Sequence, residues 1–182
     1  MSNALAPLQP PFPPDVDTIL AQYPQQDGYI LSLFRTFANS VRFLKKGVPN
    51  LLDKESPLDL RTREITILRV TANRNCEYEW GVHVAIFSRA AKLSSEQVAA
   101  TRTKSEDCWS EDEHELIKAV DELCENAALS ETTKDWFQST WSSEEQLEII
   151  ALVGAYSTIS YVANLADLPL EPFSASFPVP GT

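Results

Sequence analysis

Residues 60–83 have the sequence LRTREITILRVTANRNCEYEWGVH, and the periodicity of this stretch determines the class of fold. Its apolar residues recur three and four positions apart, as an α-helix requires, at Ile65, Leu68 and Ala72. The β-branched residues in this part would also suit a strand, but Arg69 interrupts the strict alternation of a half-buried strand. We therefore predict two consecutive helices, joined by a short turn before Cys76.

Capping signals predict helix starts in the second half of the chain. In a capping box, a serine and a Gln or Glu three residues later satisfy free backbone amides. The pairs are Ser94 with Gln97, Ser110 with Glu113, and Ser142 with Glu145. Together with apolar periodicity, they predict an all-α fold with helices near residues 29–45, 60–73, 77–91, 95–101, 111–126, 131–139 and 143–164.

The length and the prolines define the domain organisation. A chain of 182 residues suits one domain with a hydrophobic core. Nine of its twelve prolines lie in the first or last fourteen residues, and proline resists regular structure. We predict a helical domain at 29–168 between a proline-rich N-terminal arm, 1–28, and a C-terminal arm, 169–182. Such arms either cover a neighbouring subunit or remain unrestrained tails.

The charge of the chain argues against nucleic acid as a partner. The formal net charge is −11, whereas a phosphate-binding protein needs a basic surface. The imbalance is local, because residues 105–148 contain fourteen acidic residues and two lysines, while residues 1–104 contain ten acidic and thirteen basic residues. The first part is thus mildly basic.

Other features exclude several further classes of protein. Three cysteines without a CxxC pair predict neither a disulfide framework nor a zinc site, and they fit a reducing, cytoplasmic setting. With five glycines and no phosphate-binding loop, no nucleotide cofactor is expected, and we predict neither a cofactor nor a metal. The N-terminus does not resemble a secretory signal. The apolar stretch 147–168 contains polar residues and predicts a buried helix rather than a membrane span.

The candidate chemistry lies where the two central helices meet. If a helix begins near Cys76, then Cys76, Glu79 and His83 stand at i, i+3 and i+7 and share one face. Glu64 on the preceding helix would face the same cleft. An imidazole beside carboxylates suits proton transfer, and the amide dipoles at a helix start favour the thiolate form of a cysteine. The structural alternative is a satisfied polar core or a surface Glu–His pair.

The motif resembles the carboxymuconolactone decarboxylase family, which includes alkylhydroperoxidase D-like (AhpD-like) thiol proteins. The resemblance rests on Arg63-Glu64, on Asn75-Cys76-Glu77-Tyr78-Glu79-Trp80, and on His83 one turn later, and it extends to the stretch 152–156. It implies an all-helical fold that assembles as a homo-oligomer, usually a trimer or hexamer. In the peroxidase branch the working unit is Cys-x-x-Cys with a following His and an upstream Glu.

In this sequence Glu79 stands in the place of the second cysteine, so a sulfenate on Cys76 would lack an adjacent resolving thiol. The departure favours the decarboxylase-like branch, in which acid and base groups act on a small carboxylated lactone or a similar anionic compound. Loss of CO₂ leaves enolate-like charge that needs stabilisation and a proton. The resemblance implies catalysis by Glu64, Cys76, Glu79 and His83, and substrate binding by Arg63, Tyr78 and Trp80.

Three hypotheses therefore remain open at the level of sequence. The first is a cofactor-independent decarboxylase or a related lyase or isomerase. The second is a Cys76-dependent alkylhydroperoxidase-like antioxidant protein with peroxiredoxin activity, and the third is an oligomer that binds a ligand without catalysis. For all three, the predicted setting is cytoplasmic, without nucleic acid or membrane as partner.

Overall fold

The structure, a computed structural model, describes residues 5–25, 28–103 and 107–178. In these ranges the chain forms nine α-helices and no β-strand, which confirms the all-α class. The helices are α1 (Pro14–Leu20), α2 (Ser32–Phe37), α3 (Val41–Lys46), α4 (Leu60–Asn73), α5 (Glu77–Phe87), α6 (Ser95–Thr103), α7 (Glu111–Asn126), α8 (Glu131–Thr140) and α9 (Ser143–Leu165). The three predicted capping boxes are all present at the starts of α6, α7 and α9.

Helix α4 is the centre of the fold. It packs against α5, α6, α7 and α9, so that every residue from Arg63 to Ala72 is buried. Its N-cap is Asp59, whose carboxylate accepts a hydrogen bond from the Thr62 amide at 2.7 Å. The helical prediction for the β-branched stretch is therefore confirmed, because burial on all sides, rather than a strand pairing, explains its apolar character.

The predicted single helix at 29–45 is wrong, since the chain breaks there into α2 and α3. Ser40 adopts an extended backbone conformation, and its hydroxyl accepts a hydrogen bond from the Phe43 amide at 3.1 Å. This cap ends one helix and begins the next. The apolar period continued across the break, so periodicity alone did not reveal it.

The N-terminal arm also differs from the prediction, because it contains α1. This helix begins at Pro14, a position where proline lacks only a backbone donor that would be free in any case. Val16 and Leu20 are buried in the core. The proline-rich composition therefore marks a helix start as well as irregular chain.

The C-terminal segment from residue 169 to residue 178 contains no helix and folds back onto α5. The Ala175 amide donates a hydrogen bond to the Gly81 carbonyl at 3.1 Å, and Phe177 packs against Trp80 with ring centroids 5.2 Å apart. The buried Glu171 carboxylate accepts hydrogen bonds from the hydroxyls of Tyr29 and Tyr78. This part of the arm is therefore not an unrestrained tail.

Helix α9 is long and apolar enough to span a membrane by length and composition, but half of its apolar window is buried inside the protein. It packs against α4, α5, α7 and α8. These contacts are those of a core helix.

Two ion pairs join the basic and acidic parts of the chain. Arg69 of α4 binds both carboxylate oxygens of Asp121 on α7, and Arg61 binds Glu113 at 2.5 Å. A bidentate guanidinium–carboxylate pair fixes geometry as well as charge. Two acidic residues of the second half of the chain thus pair with arginines of α4.

Candidate active site

The turn between α4 and α5 aligns the predicted residues. Asn75 has a positive φ of 51°, and the Cys76 amide donates a hydrogen bond to the Thr71 carbonyl at 2.9 Å. Asparagine tolerates this left-handed conformation better than most residues. The tight turn returns the chain along α4, so that Glu64 and His83 face each other across the two helices.

The structure brings Glu64, His83 and Glu79 together in a row. His83 Nδ1 lies 2.7 Å from Glu64 Oε2, and His83 Nε2 lies 3.5 Å from Glu79 Oε1. All three side chains are buried, with His83 2% and Glu64 0% exposed. Each ring nitrogen of the imidazole therefore faces a carboxylate.

This arrangement controls the charge of His83. Burial lowers its pKa, but the charge of Glu64, the hydrogen bond to Glu64 and the weaker contributions of Glu79 outweigh burial and raise the pKa to about 9. His83 is consequently an imidazolium at neutral pH, with both N–H groups directed at carboxylates. The proton on His83 is thus held in a buried site that is shielded from water.

Arg63 extends the row at the Glu64 end. Its Nε lies 3.8 Å from Glu64 Oε1, and its Nη1 donates a hydrogen bond to the Asp53 carbonyl at 3.3 Å. Within the described residues, however, three buried atoms of the row make no hydrogen bond: Arg63 Nε, Glu64 Oε1 and Glu79 Oε2. Buried polar atoms normally have a hydrogen-bond partner, so the row retains unused hydrogen-bonding capacity.

Aromatic rings enclose the imidazole. Tyr156 of α9 contacts His83 edge-on and Phe87 of α5 lies on another side, each with its centroid 5.1 Å from that of His83. Burial, followed by the charges of Glu79 and Glu64, raises the pKa of Tyr156 well above its usual value. Its hydroxyl thus stays protonated. Sequence reasoning missed Tyr156 as a site residue, although it belongs to the stretch 152–156 that carried part of the resemblance.

A cavity of about 880 Å³ opens beside this row. It lies between α1, α2, α3, the loop 48–52, α5 and α9, and its lining includes Glu79, Phe87 and Tyr156. Neither His83 nor Glu64 lines it, so Glu79 is the member of the row that borders the cavity. Its size falls in the range of small-molecule sites. The sequence did not reveal this cavity, because its walls come from five separate helices.

Cys76 lies one turn before Glu79 and is fully buried as the N-cap of α5. Burial raises the pKa of its thiol, and the charge of Glu79 adds to this, while the backbone amides of Glu79 and Tyr78 and the nearby Ser160 hydroxyl oppose it. The dipoles at the helix start favour the thiolate, as expected from the sequence, but desolvation outweighs them and raises the pKa of the thiol.

The residues predicted to bind the substrate make other contacts. The Tyr78 hydroxyl donates a 2.6 Å hydrogen bond to Glu171 Oε1 and accepts one from the Leu33 amide. The Trp80 indole N–H donates to the Thr101 hydroxyl at 2.9 Å, in a separate apolar cluster with Leu68 and Ala72. Neither Arg63, Tyr78 nor Trp80 lines the cavity. Their role in substrate binding stays a prediction without support from these contacts.

The helices place a buried Glu–His–Glu row between α4 and α5, in an all-α fold of the AhpD-like type. Residues 46–122, which include all four predicted catalytic residues, match the Carboxymuconolactone decarboxylase family. No curated protein gives a significant match.

The fold is also that of a solved relative. The crystal structure of a protein of unknown function from Agrobacterium tumefaciens, a proposed antioxidant defence protein AhpD, is similar with a TM-score of 0.59. The two are 21% identical, and the similarity covers 65% of this chain and 82% of that chain. The central part of the chain is thus similar to the carboxymuconolactone decarboxylase family, and its fold is similar to that of the AhpD-like structure.

Proposed function

We propose that this protein is a cofactor-independent acid–base enzyme, a decarboxylase-like lyase or a related isomerase, that acts on a small organic acid. The observation that carries the proposal is the imidazolium of His83, held between two buried carboxylates of which one, Glu79, borders a cavity of about 880 Å³. Proton transfer by a positioned side chain is the chemistry that such a row serves best.

In this proposal Glu79 is the group that meets the substrate. In a decarboxylation, the bond between the substrate and its carboxylate breaks, CO₂ leaves, and the electron pair remains as an enolate. The His83 imidazolium transfers a proton to the Glu79 carboxylate, Glu79 delivers it to the enolate carbon, and His83 regains a proton from water. In an isomerisation, the same groups remove a proton from one carbon and return it to another. Glu64 orients the imidazole and stabilises its charge.

The contacts argue against the two other hypotheses. A peroxidatic cysteine must be a thiolate, whereas burial raises the pKa of Cys76, and Glu79 occupies the place of the second cysteine. A non-catalytic core would satisfy its polar groups, whereas Arg63 Nε, Glu64 Oε1 and Glu79 Oε2 make no hydrogen bond with the residues that the structure describes.

The experiment follows proton transfer directly. Purified protein is incubated in D₂O with a panel of carboxylated lactones, and NMR records CO₂ loss and deuterium incorporation at carbon. We expect Glu79→Gln and His83→Gln to reduce turnover by roughly 10²–10⁴-fold, as loss of a general acid or base does. Glu144→Gln, an exposed carboxylate at the start of α9, is the matched control and should retain full turnover.

Circular dichroism and gel filtration establish that each variant is folded. Unchanged turnover in both folded site variants would contradict the proposal. Turnover lost in a folded Cys76→Ser variant but kept in His83→Gln would instead support thiol chemistry.

We further propose that copies of this chain associate and that they act in the cytoplasm. An exposed apolar stripe runs along α9 through Leu147, Ile150, Tyr161 and Leu165. These positions recur at helical spacing on one side of the helix, and a contiguous apolar patch of this kind is typical of a protein interface. The presence of three free cysteines fits a reducing compartment.

A further inference from the structure

Aromatic rings form a large part of the walls of the cavity beside Glu79. Six rings from four helices and from the chain that follows α1 line it: Tyr23, Phe34, Phe37, Phe43, Phe87 and Tyr156. Aliphatic side chains of α2, α3 and α9 complete the apolar surface, while Thr18, Gln22 and Asn50 contribute polar groups besides Lys45 and Glu79. Such walls stabilise flat apolar ligands through burial and through offset ring contacts. A small, highly polar metabolite would leave most of this surface unused.

Two charged residues line this cavity, and they differ in sign and in depth. Glu79 is buried at 5% exposure, whereas Lys45, at the end of α3, is exposed. Glu79 Oε2 makes no hydrogen bond with the described part of the protein, so the carboxylate has acceptor capacity to spare. Lys45 enters no ion pair within residues 5–25, 28–103 and 107–178. Each charge is thus available to a ligand.

The two charges favour different chemical groups at the two ends of a ligand. A carboxylate placed at Glu79 would bring like charges together where water is excluded, which is strongly unfavourable. A neutral hydroxyl or other hydrogen-bond donor would instead satisfy the Glu79 oxygen. An acid group is favoured at Lys45, where the ammonium group remains hydrated and accessible.

We infer that the cavity binds an aromatic or similarly flat apolar acid with two unlike polar ends, a neutral hydrogen-bond donor at Glu79 and an anionic group at Lys45. The inference deepens the proposed function, because it rests on the same site and names the class of its substrate. It also orients the substrate: the neutral end meets the proton-transfer row and the acid group stays at the rim, so within the proposed function it favours isomerisation at the neutral end over loss of that acid group as CO₂.

The test uses three biphenyl probes that differ only at their ends. They are 4′-hydroxybiphenyl-4-carboxylic acid, biphenyl-4,4′-dicarboxylic acid and 4-hydroxybiphenyl. Isothermal titration calorimetry or tryptophan fluorescence measures each dissociation constant with the full chain. We expect the hydroxy acid to bind at least roughly tenfold more tightly than the diacid, since the diacid must place a carboxylate at Glu79.

Two variants test which end of the probe lies at Glu79 and which end lies at Lys45. Glu79→Gln should remove the discrimination, because the diacid then meets a neutral amide. Lys45→Met should weaken binding of the hydroxy acid by roughly fivefold or more, while the affinity for 4-hydroxybiphenyl stays unchanged. Lys46→Met is the matched control, since Lys46 is an exposed neighbour that does not line the cavity. If Glu79→Gln fails to fold, the Lys45 and Lys46 pair still tests the orientation.

Equal affinity for the hydroxy acid and the diacid in the wild-type protein would overturn the inference, as would the absence of binding by all three probes at millimolar concentration. Equal effects of Lys45→Met and Lys46→Met would overturn the assignment of the acid end. These outcomes are separate from catalysis. Discriminating binding without any proton exchange in D₂O would support the cavity's specificity and contradict the proposed function.

Discussion

At His83, two opposing effects act on one ring. Burial disfavours the imidazolium, and two carboxylates favour it, with the carboxylates dominating. The result is a buried cation that contributes to folding. Because the pKa rises from 6.5 to about 9 on folding, this contribution is fully present below pH 6.5 and is lost as the pH rises through about 9.

We therefore predict that the stability of the wild-type protein relative to His83→Gln decreases between neutral pH and pH about 10. The shift corresponds to about 3 kcal/mol over that interval. Urea denaturation of both proteins at several pH values measures the difference. A difference that stays constant with pH would show that His83 is neutral in the folded state.

The reactivity of the Cys76 thiol tests the hypothesis of a thiol-dependent peroxidase. The side chain of Cys76 is buried with a raised pKa, whereas Cys108 and Cys124 are only partly buried. We predict that, in the native protein at neutral pH, iodoacetamide modifies Cys108 and Cys124 well before Cys76, because reaction needs both access and the thiolate form. Mass spectrometry of the peptides gives the order. Faster modification of Cys76 would indicate a reactive thiol and would revive the peroxidase hypothesis.

At the scale of elements, the C-terminal segment and α5 are joined at a position that needs a glycine. A Cβ on Gly81 would lie 2.1 Å from the Ala175 carbonyl oxygen, whereas a Cβ on Gly154 of α9 would meet nothing within 4 Å. Both glycines lie inside helices, so they differ in tertiary surroundings rather than in local conformation. Comparing substitutions at Gly81 and Gly154 therefore isolates the effect of the close contact between α5 and the C-terminal segment.

We predict that Gly81→Ala destabilises the protein by about 1–3 kcal/mol, as overpacking does. It should also expose the segment near Ala175 to proteolysis. Gly154→Ala should instead stabilise by about 0.5–1 kcal/mol through helix propensity. Urea denaturation and limited proteolysis at a single protein concentration compare the two. Equal stability changes would show that the segment does not press on α5.

At the scale of the whole molecule, the exposed apolar face of α9 is the surface that we propose for contacts between copies of the chain. Leu147, Tyr161 and Leu165 are 68%, 58% and 74% exposed, a large apolar surface for an isolated chain. We predict that the wild-type protein is oligomeric and that Tyr161→Glu with Leu165→Glu shifts it toward monomer, because charge in an apolar interface is costly to desolvate. Analytical ultracentrifugation measures the mass.

Leu170→Glu, an exposed apolar position outside α9, is the control for added charge. A monomeric wild-type protein would contradict the assembly proposal. An oligomer that survives both α9 substitutions would place the interface on a different surface.

The helical fold followed from local signals in the sequence. Capping serines and apolar spacing act within one or two turns of chain, so α4, α6, α7 and α9 were predictable. The break at Ser40 and the start of α1 at Pro14 were equally local, but proline and serine fit several roles and the apolar pattern did not distinguish them. The row of Glu64, Glu79 and His83 was predictable because helical spacing and one short turn bring those residues together.

What the sequence determined by itself was therefore the class of fold and the residues of the Glu–His–Glu row, since both depend on chain neighbours. Only the tertiary structure decided the state of those residues. Desolvation made Cys76 a neutral thiol, while two nearby carboxylates kept His83 charged. The tertiary structure also decided that Glu79 borders the cavity and that Tyr156 contacts the imidazole. Burial and contacts between distant helices arise only when the whole chain packs, and local sequence patterns do not encode them.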